Sequence, residues 1–346
     1  MIYGKALYVN QGESGIKLKA PAERLEALLQ LAYLYLSAPR EDPEAFKYWK
    51  EDEYFFYKRP PYGREENDLQ VLSKKELEGP KAGLTALARY KAVQQSTATE
   101  LKQIYQSLFQ HPQEFVFLLS GDFKEEQVLP LLETYLGNLP VSINQVKREE
   151  EEVNTLPQGT LEKVYTIPGI LPSDLNLKIQ YTYPVARDDW KAQLNLQLMR
   201  DVIHTRLWEL RHVKKRGLYL IQAVAYTDLD LQRGNFAIMI PTVAGMENYL
   251  IKDMQELMSW FKEHPISEKE LDAIKSRFYI VGITGKSILD KGYRYYKWGL
   301  QIPDAEMVKA YLEGVTPRDI QAFIQDKLVP EHQYIFMGKG VPDISN

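Results

Sequence analysis

The two stretches of sequence that decide the fold are TATELKQIYQSLFQHPQEFVFLLSG at Thr97–Gly121 and TPRDIQAFIQDKLVPEHQYIFMGKG at Thr316–Gly340. In each, a threonine and an acidic residue three positions later frame a helix start. Apolar residues then recur at i, i+3 and i+4, which is typical of an amphipathic helix. A short apolar run before a glycine indicates a strand. The two stretches align from end to end without a gap, so they predict two copies of one helix–strand unit.

Two further segments repeat in the same order. Leu25–Leu29 resembles Met246–Leu250 at nearly the same interval along the chain, and Pro43–Lys50 resembles Ser267–Lys275 more loosely. Any two amphipathic helices share such spacing. Three matches in one order nevertheless favour an internal duplication over chance.

The predicted elements define the fold class as α+β. Strands are predicted at 2–9, 14–19, 114–120, 161–167, 176–183, 218–226, 235–241 and 333–338, and helices at 22–37, 42–57, 97–109, 188–211, 246–263, 267–285, 303–312 and 316–327. Antiparallel strands with helices packed on one face form a two-layer unit. The first copy lacks the strand–strand–helix that opens the second, so we expect a first domain that is truncated at its N-terminus.

A charged, turn-rich stretch separates the two copies. Gly137–Pro140 ends an apolar run, Lys147–Glu152 carries charges without apolar periodicity, and Pro157–Gly159 follows. Such composition is typical of a linker between domains. The predicted division is a truncated domain at 1–140, a linker at 141–160 and a complete second domain at 161–346.

The composition excludes several classes of function. A net charge of −4 gives no basic surplus for a nucleic-acid partner. The absence of cysteine removes disulfides, thiolate metal sites and cysteine nucleophiles. No apolar run reaches the ~20 residues that a membrane span needs, and the first ten residues do not form a signal peptide. We therefore expect a soluble chain.

Several phrases, taken in order, resemble the insulinase/pitrilysin family of zinc peptidases, especially the large bacterial members with four homologous domains. These phrases are Leu25–Leu31, Ala38–Phe46, Glu114–Phe123, Tyr135–Pro140, Arg206–Glu209 and Gly217–Tyr219. The match covers nearly the whole chain. The resemblance implies most of the third domain and all of the fourth, each with the fold of mitochondrial-processing-peptidase-like metallohydrolases. It also implies a bacterial periplasmic or exported location as part of a longer protein.

The family holds its zinc in the amino-terminal half, on an inverted H-x-x-E-H helix motif. None of the five histidines here belongs to that motif. His111-Pro-Gln-Glu114 has the right spacing, but Phe115 stands where the second histidine would be. His204 and His212 are eight residues apart, so they would lie about 80° apart around one helix and two turns along it. We expect no metal or catalytic residue in this chain, with zinc in the missing catalytic half.

The resemblance implies one substrate contact in the fourth domain, made by an arginine and by a tyrosine seven residues later. Tyr219 fits the tyrosine, but seven residues earlier stands His212, and Arg211 is one position further back. Tyr219, Arg211 and His212 are the candidate substrate-binding residues. The basic cluster around them is equally consistent with charges that complement the C-terminal end of a helix.

The sequence thus predicts the non-catalytic half of a zinc metalloendopeptidase, which encloses and positions a peptide for a catalytic half elsewhere. The alternatives are a separate inactive subunit of a heteromeric peptidase and a stand-alone peptide-binding or scaffold protein. An in-frame H-x-x-E-H region upstream would indicate a fragment, whereas a neighbouring gene with that motif would indicate a subunit. The aromatic run Gly292–Gly299 is predicted to pack in a core or a domain interface rather than to bind a ligand.

Overall fold

A computed structural model describes residues 3–10, 13–58, 64–80, 82–109, 111–140, 155–168, 171–213, 220–281 and 288–341. The strands are β1 (Tyr3–Asn10), β2 (Glu13–Lys19), β3 (Leu161–Pro168), β4 (Asp174–Pro184), β5 (Gln222–Asp228), β6 (Arg233–Val243) and β7 (Gln333–Val341). The helices are α1 (Leu25–Ser37), α2 (Pro43–Lys58), α3 (Arg64–Glu78), α4 (Ala86–Gln95), α5 (Ala98–Phe109), α6 (Glu125–Tyr135), α7 (Trp190–Val213), α8 (Glu247–Glu263), α9 (Glu268–Val281), α10 (Ile288–Trp298), α11 (Ala305–Gly314) and α12 (Pro317–Lys327).

The chain divides into two compact units. Unit 1 contains Met1–Arg59 and Ala86–Glu152, and unit 2 contains Pro60–Thr85 and Val153–Asn346. Unit 2 therefore includes α3, which the division read from the sequence placed in the first domain. Residues 141–154 of the expected linker lie outside the described residues, and 155–160 form irregular structure before β3.

Unit 2 is built on a five-stranded sheet in the order β3-β7-β4-β6-β5. The pairs β4–β7, β4–β6 and β5–β6 are antiparallel, as the sequence predicts, whereas β3 pairs with β7 in parallel. The α+β class is confirmed, with a mixed rather than a purely antiparallel sheet. The parallel pair joins strands far apart in sequence, so no local hairpin pattern indicates it.

The helix layer covers one face of this sheet. Alternate residues of β4, from Leu175 to Tyr183, are buried in one apolar cluster with residues of α7, α8, α9, α11 and α12. Helix α12 begins with a capping box, in which the Thr316 hydroxyl accepts from the Asp319 amide and the Asp319 carboxylate accepts from the Thr316 amide. This arrangement satisfies amide donors that a helix start leaves free. The local sequence signals therefore agree with the packed structure.

Helix α3 covers part of the opposite face. Leu69 and Leu77 pack against Ile167 of β3 and against Tyr334 and Phe336 of β7. The predicted helix layer is present on one face, and α3, a helix distant in sequence, covers part of the other face in addition. Its composition alone does not reveal which sheet it covers.

Unit 1 combines a small hairpin with a group of helices. Strands β1 and β2 pair antiparallel. Tyr57 of α2 stacks on Tyr90 of α4 with ring centroids 4.6 Å apart. The hydroxyl of Tyr105 in α5 donates to the carbonyl oxygen of Tyr35 in α1 at 2.7 Å. These contacts join α2 to α4, which the sequence did not predict, and α5 to α1.

The strand predicted at 114–120 is absent from the described structure. Residues Pro112–Glu114 form one turn of 3-10 helix, and Phe115 has extended angles (φ −82°, ψ 148°). The following residues are not hydrogen-bonded to any strand among the described residues. A β-strand requires a neighbouring strand for its backbone hydrogen bonds, so an apolar run alone does not produce one.

Candidate functional site

Helix α7 and strand β5 frame the position of the predicted substrate contact. Leu196, Met199, Ile203 and Leu207 recur at spacings of three or four along α7 and are buried in the helix layer of unit 2. This stripe fixes the helix on the sheet and determines where its C-terminal end lies. Strand β5 begins at Gln222, and Ile221 just before it is also buried in that cluster.

Two side chains of α7 bind the backbone of β5. The Ala223 amide donates to Nδ1 of His204 at 3.3 Å, and Nε2 of Gln197 donates to the Ala225 carbonyl oxygen at 3.1 Å. Strand β5 is an edge strand of the sheet, where free amides and carbonyls would otherwise attract another strand. His204 therefore has a structural role: it covers an edge amide and fixes the start of β5 beside α7. Sequence reasoning missed this role, because only the fold brings positions 204 and 223 together.

Two of the three candidate residues, Arg211 and His212, lie at one end of this frame. Arg211 and His212 are in the last turn of α7, close to the helix carbonyls that attract positive charge. Their side chains, like all of Tyr219, lie outside the described residues. The substrate pair therefore stays a prediction.

An ion pair connects α7 to α9. Arg206 lies 2.6 Å from the Glu270 carboxylate and stacks over the Trp260 ring at 5.2 Å from its centroid. Glu270 also accepts hydrogen bonds from the Ser267 amide and hydroxyl at the start of α9. The hydrogen bond from the Ser267 amide, followed by the one from its hydroxyl and by the charge of Arg206, holds the pKa of Glu270 below its ordinary value. Arg206 thus fixes α7 to α9.

A second polar cluster lies on the sheet face under α3. Nζ of Lys178 donates to Oγ of Ser73 at 2.7 Å, and that hydroxyl donates to the Gln70 carbonyl oxygen at 2.9 Å. Lys178 is 8% exposed and Ser73 is 0% exposed. Burial lowers the pKa of Lys178 to about 8, and the Glu78 charge partly opposes that shift. A serine beside a lysine can act as a nucleophile with its base, but a substrate cannot reach a hydroxyl that is fully covered.

The same buried layer continues along β4 and β6. Nε2 of Gln180 and Oγ1 of Thr182 both donate to Oδ1 of Asn235, at 3.2 and 2.9 Å. Nη1 of Arg233 donates to the Leu77 carbonyl oxygen of α3 at 2.9 Å. These bonds satisfy most of the buried polar groups here, although Oε1 of Gln180 is buried without a hydrogen-bond partner. The cluster is structural, and it explains why the alternating polar residues of β4 are not on a solvated face.

The aromatic run Gly292–Gly299 is only partly packed. Tyr293 contacts Trp298 edge to face at 6.2 Å, and Lys297 forms an ion pair with Asp230 at 2.7 Å. Tyr295 and Tyr296 are each 63% exposed. Half of the run therefore packs within unit 2, as expected, whereas two tyrosines face outward.

Comparison with known protein families shows which family the chain belongs to. Residues 96–278, more than half of the chain, match the family model described as the peptidase M16 inactive domain. The chain belongs to the peptidase M16 inactive-domain family. This membership confirms the resemblance to insulinase/pitrilysin-type peptidases. No curated protein matches the sequence at a significant level.

Solved structures of proteases share the fold. A mutant of the ferredoxin protease FusC in complex with Arabidopsis ferredoxin is similar with a TM-score of 0.73 and 16% identity, over 98% of this chain and 37% of that one. A protease from Helicobacter pylori has a TM-score of 0.70 and 16% identity, over 94% of this chain and 79% of that one. Pitrilysin has a TM-score of 0.70 and 12% identity, over 98% of this chain and 36% of that one. The chain thus spans little more than a third of FusC and of pitrilysin.

The M16 family implies a zinc ion, which needs several histidine or carboxylate ligands close together. The described residues contain no group of three or more histidine, aspartate or glutamate side chains arranged to hold a metal ion. His111 and Glu114 are the nearest match to the zinc motif. His111 precedes one turn of 3-10 helix and Glu114 ends it, so the two do not share the face of an α-helix. The donors present in the described part of this M16 domain do not fit a zinc site. No helix among the same residues is long and apolar enough to cross a membrane.

Proposed function

We propose that this chain is a non-catalytic part of a zinc metalloendopeptidase and that it encloses and positions peptide substrate for a catalytic half elsewhere. The observation that carries the proposal is the match to an inactive M16 domain. The complete sequence also contains no H-x-x-E-H motif. Zinc would be bound by the catalytic half, where that motif supplies two histidine ligands and a general base.

The likeness to longer chains supports a role within an assembly. The chain aligns over nearly its full length with about a third of FusC and of pitrilysin. The FusC structure is a complex with Arabidopsis ferredoxin, so that protease binds a protein. For this chain, a peptide and a catalytic half or subunit are the proposed partners, and an exported bacterial location remains a prediction.

Peptide positioning would use the end of α7 and the residues before β5. A guanidinium or imidazole group can donate to a peptide carbonyl oxygen, and a tyrosine hydroxyl can donate or accept. Arg211, His212 and Tyr219 offer these groups within one short stretch. The hydrogen bonds of His204 and Gln197 connect α7 to β5, the two elements that flank this stretch in the sequence.

The test is the affinity of the chain for a fluorescently labelled, extended peptide, measured by anisotropy. The variants are Arg211→Ala, His212→Ala and Tyr219→Phe, and the control is Lys309→Ala at an exposed position in α11. Loss of a hydrogen bond from a charged group costs about 1.5–3 kcal/mol, so Kd should rise about tenfold or more for the residue that binds substrate. Equal Kd values for all four variants and the parent would refute the positioning role.

A separate inactive subunit and a stand-alone scaffold remain the alternatives. The gene context distinguishes them, because an H-x-x-E-H region would be in the same reading frame, in a neighbouring gene or in neither.

A further inference from the structure

The contact between His204 of α7 and the start of β5 requires one protonation state. Nδ1 of His204 accepts a hydrogen bond from the Ala223 amide at 3.3 Å. A ring nitrogen can accept only while it carries no proton, so this imidazole is neutral and its proton is on Nε2. Histidine is the side chain whose charge ordinarily changes between about pH 5 and pH 8. This link between α7 and β5 therefore depends on a proton that can be gained in mild acid.

The other side-chain contact from α7 to the backbone of β5 does not depend on pH in this way. Nε2 of Gln197 donates to the Ala225 carbonyl oxygen at 3.1 Å, and a side-chain amide keeps its donors in mild acid. Ala223 is only 5% exposed, so water has little access to its amide when the histidine acceptor is lost. Protonation of His204 therefore weakens the start of β5, while Gln197 still holds the strand beside α7.

A protonated His204 has an alternative partner on its own helix. Asp201 precedes it by one turn of α7, and the charges of the two side chains interact. An imidazolium has two N–H donors and no acceptor, so it is repelled by the Ala223 amide and attracted by the Asp201 carboxylate. The geometry thus provides one partner for the neutral ring and another for the charged ring.

The other charged groups around this pair come from two helices. Burial raises the pKa of Asp201, and the charges of Arg200 and of Arg277 in α9 partly oppose that rise. Arg200 lies 3.0 Å from the Asp201 carboxylate. The titratable side chains of β5, Tyr226 and Asp228, alternate with the bonded alanine and so point to the other face of the sheet. Among the described residues of α7, α9 and β5, Asp201 is thus the negative charge whose interaction with His204 favours release.

From these contacts we propose that His204 is a pH-dependent positioning residue for the start of β5. While neutral it binds the Ala223 amide, and once protonated it releases that amide and turns to Asp201. The consequence for peptide binding rests on the proposed function. Tyr219 lies just before β5 in the sequence, so release of the strand loosens the candidate peptide contact, and peptide binds more weakly in mild acid.

The test is hydrogen exchange of the Ala223 amide, followed by NMR in the full chain between about pH 8 and about pH 5.5. Each rate is divided by the rate of an unstructured amide at the same pH, so the ordinary effect of pH cancels. We expect the protection of Ala223 to fall about tenfold as the pH decreases, which is the effect of losing one hydrogen bond. The amide of Ile238, opposite Ala223 in β6, should keep its protection.

Two variants identify the group that titrates. His204→Asn is the matched control, because an asparagine oxygen can replace Nδ1 as the acceptor and does not titrate. Its Ala223 protection should stay constant over the same pH range. Asp201→Asn removes the alternative partner of the charged ring, so the loss of protection should move to lower pH.

A second measurement links the His204 contact to peptide binding. The Kd of a labelled, extended peptide, measured by anisotropy, should rise between about pH 8 and about pH 5.5 in the parent. His212 is also a histidine, so the comparison that matters is with His204→Asn, in which the rise should be smaller. Equal pH dependence of Kd in the two proteins would refute the link to peptide binding.

Three exchange results would overturn the proposal. One is unchanged Ala223 protection in the parent across the pH range, and another is the same loss of protection in His204→Asn. The third is a parallel loss at Ile238, which would show that unit 2 as a whole is destabilised. If Ala223 behaves as expected but no peptide binds at either pH, the proposed function fails and the pH-dependent contact stands.

Discussion

Lys178 offers a quantitative test of the structure, because its ammonium group is buried between β4 and α3. Its pKa falls from an ordinary value of 10.5 to about 8, mainly through burial. The charged groups that influence it are Glu78, which favours the charged form, and Lys74, which opposes it. One pKa unit corresponds to about 1.4 kcal/mol, so charged Lys178 destabilises the folded state by about 3 kcal/mol.

The direction of the pH dependence follows from proton binding. Between pH 8 and 10.5 the unfolded chain holds a proton on Lys178 that the folded chain has lost. Stability therefore rises with pH across this window. Below that window Lys178 is charged in both the folded and the unfolded state, and the folded state is destabilised by the full cost of burying the charge. Above that window Lys178 is neutral in both states, so no charge is buried on folding.

Replacement of Lys178 by methionine removes this titration while keeping a long side chain. Ser73 loses the hydrogen bond that it accepts but keeps the one that it donates to Gln70. We expect the stability difference between Lys178→Met and the parent to shift by about 3 kcal/mol between about pH 7 and pH 10.5, in favour of the variant at the lower pH. A constant offset from the lost hydrogen bond does not affect this shift.

The assay is urea unfolding followed by tryptophan fluorescence at several pH values. Four of the five tryptophans, at positions 190, 208, 260 and 298, belong to unit 2, so the signal reports mainly the unit that contains Lys178. Burial also raises the pKa of Tyr181 to about 12, but that titration is common to both proteins and cancels in the difference. Lys309→Met, at an exposed position in α11, is the control. A difference that stays flat across this pH range would refute the burial of a charged lysine.

Three further predictions concern other parts of unit 2, all measured by urea unfolding. Thr316→Ala should lower the stability by about 1 kcal/mol because α12 loses its capping box, and a Thr316→Ser variant should retain most of it. Phe336→Ala should cost about 3–5 kcal/mol because the ring is fully buried beneath α3; a loss below about 1 kcal/mol would contradict that packing. His204→Ala should cost about 1–3 kcal/mol by leaving the Ala223 amide without its acceptor, and faster exchange of that amide would identify the cause.

Local signals predicted eight of the helices that the structure contains, but not α3, α4, α6 or α10. The cap residues Thr97 with Glu100 and Thr316 with Asp319 mark helix starts that the structure reproduces. These contacts involve residues three positions apart, so the sequence displays them directly. The hairpin β5–β6 and the strand β7 also follow from short-range patterns.

Long-range packing explains what the sequence left hidden. The polar residues Asn176, Lys178, Gln180 and Thr182 alternate along β4 as on a solvated face, yet all four are buried. Lys178 contacts Ser73 of α3, a helix far earlier in the chain. The run at 114–120 has strand-like composition, yet the described structure supplies no strand to pair with it. Of the candidate site, the sequence indicates residue types near the end of α7, whereas the His204 and Gln197 contacts that fix this region depend on the fold.

The central claim is that this M16 chain has no peptidase activity of its own. The most direct measurement is cleavage of a quenched fluorescent peptide by the purified chain, after dialysis against zinc and with and without a chelator, together with the bound zinc per chain. The proposal predicts no cleavage above buffer and no stoichiometric zinc. Proteolysis that the chelator abolishes, with one zinc ion per chain, would contradict it.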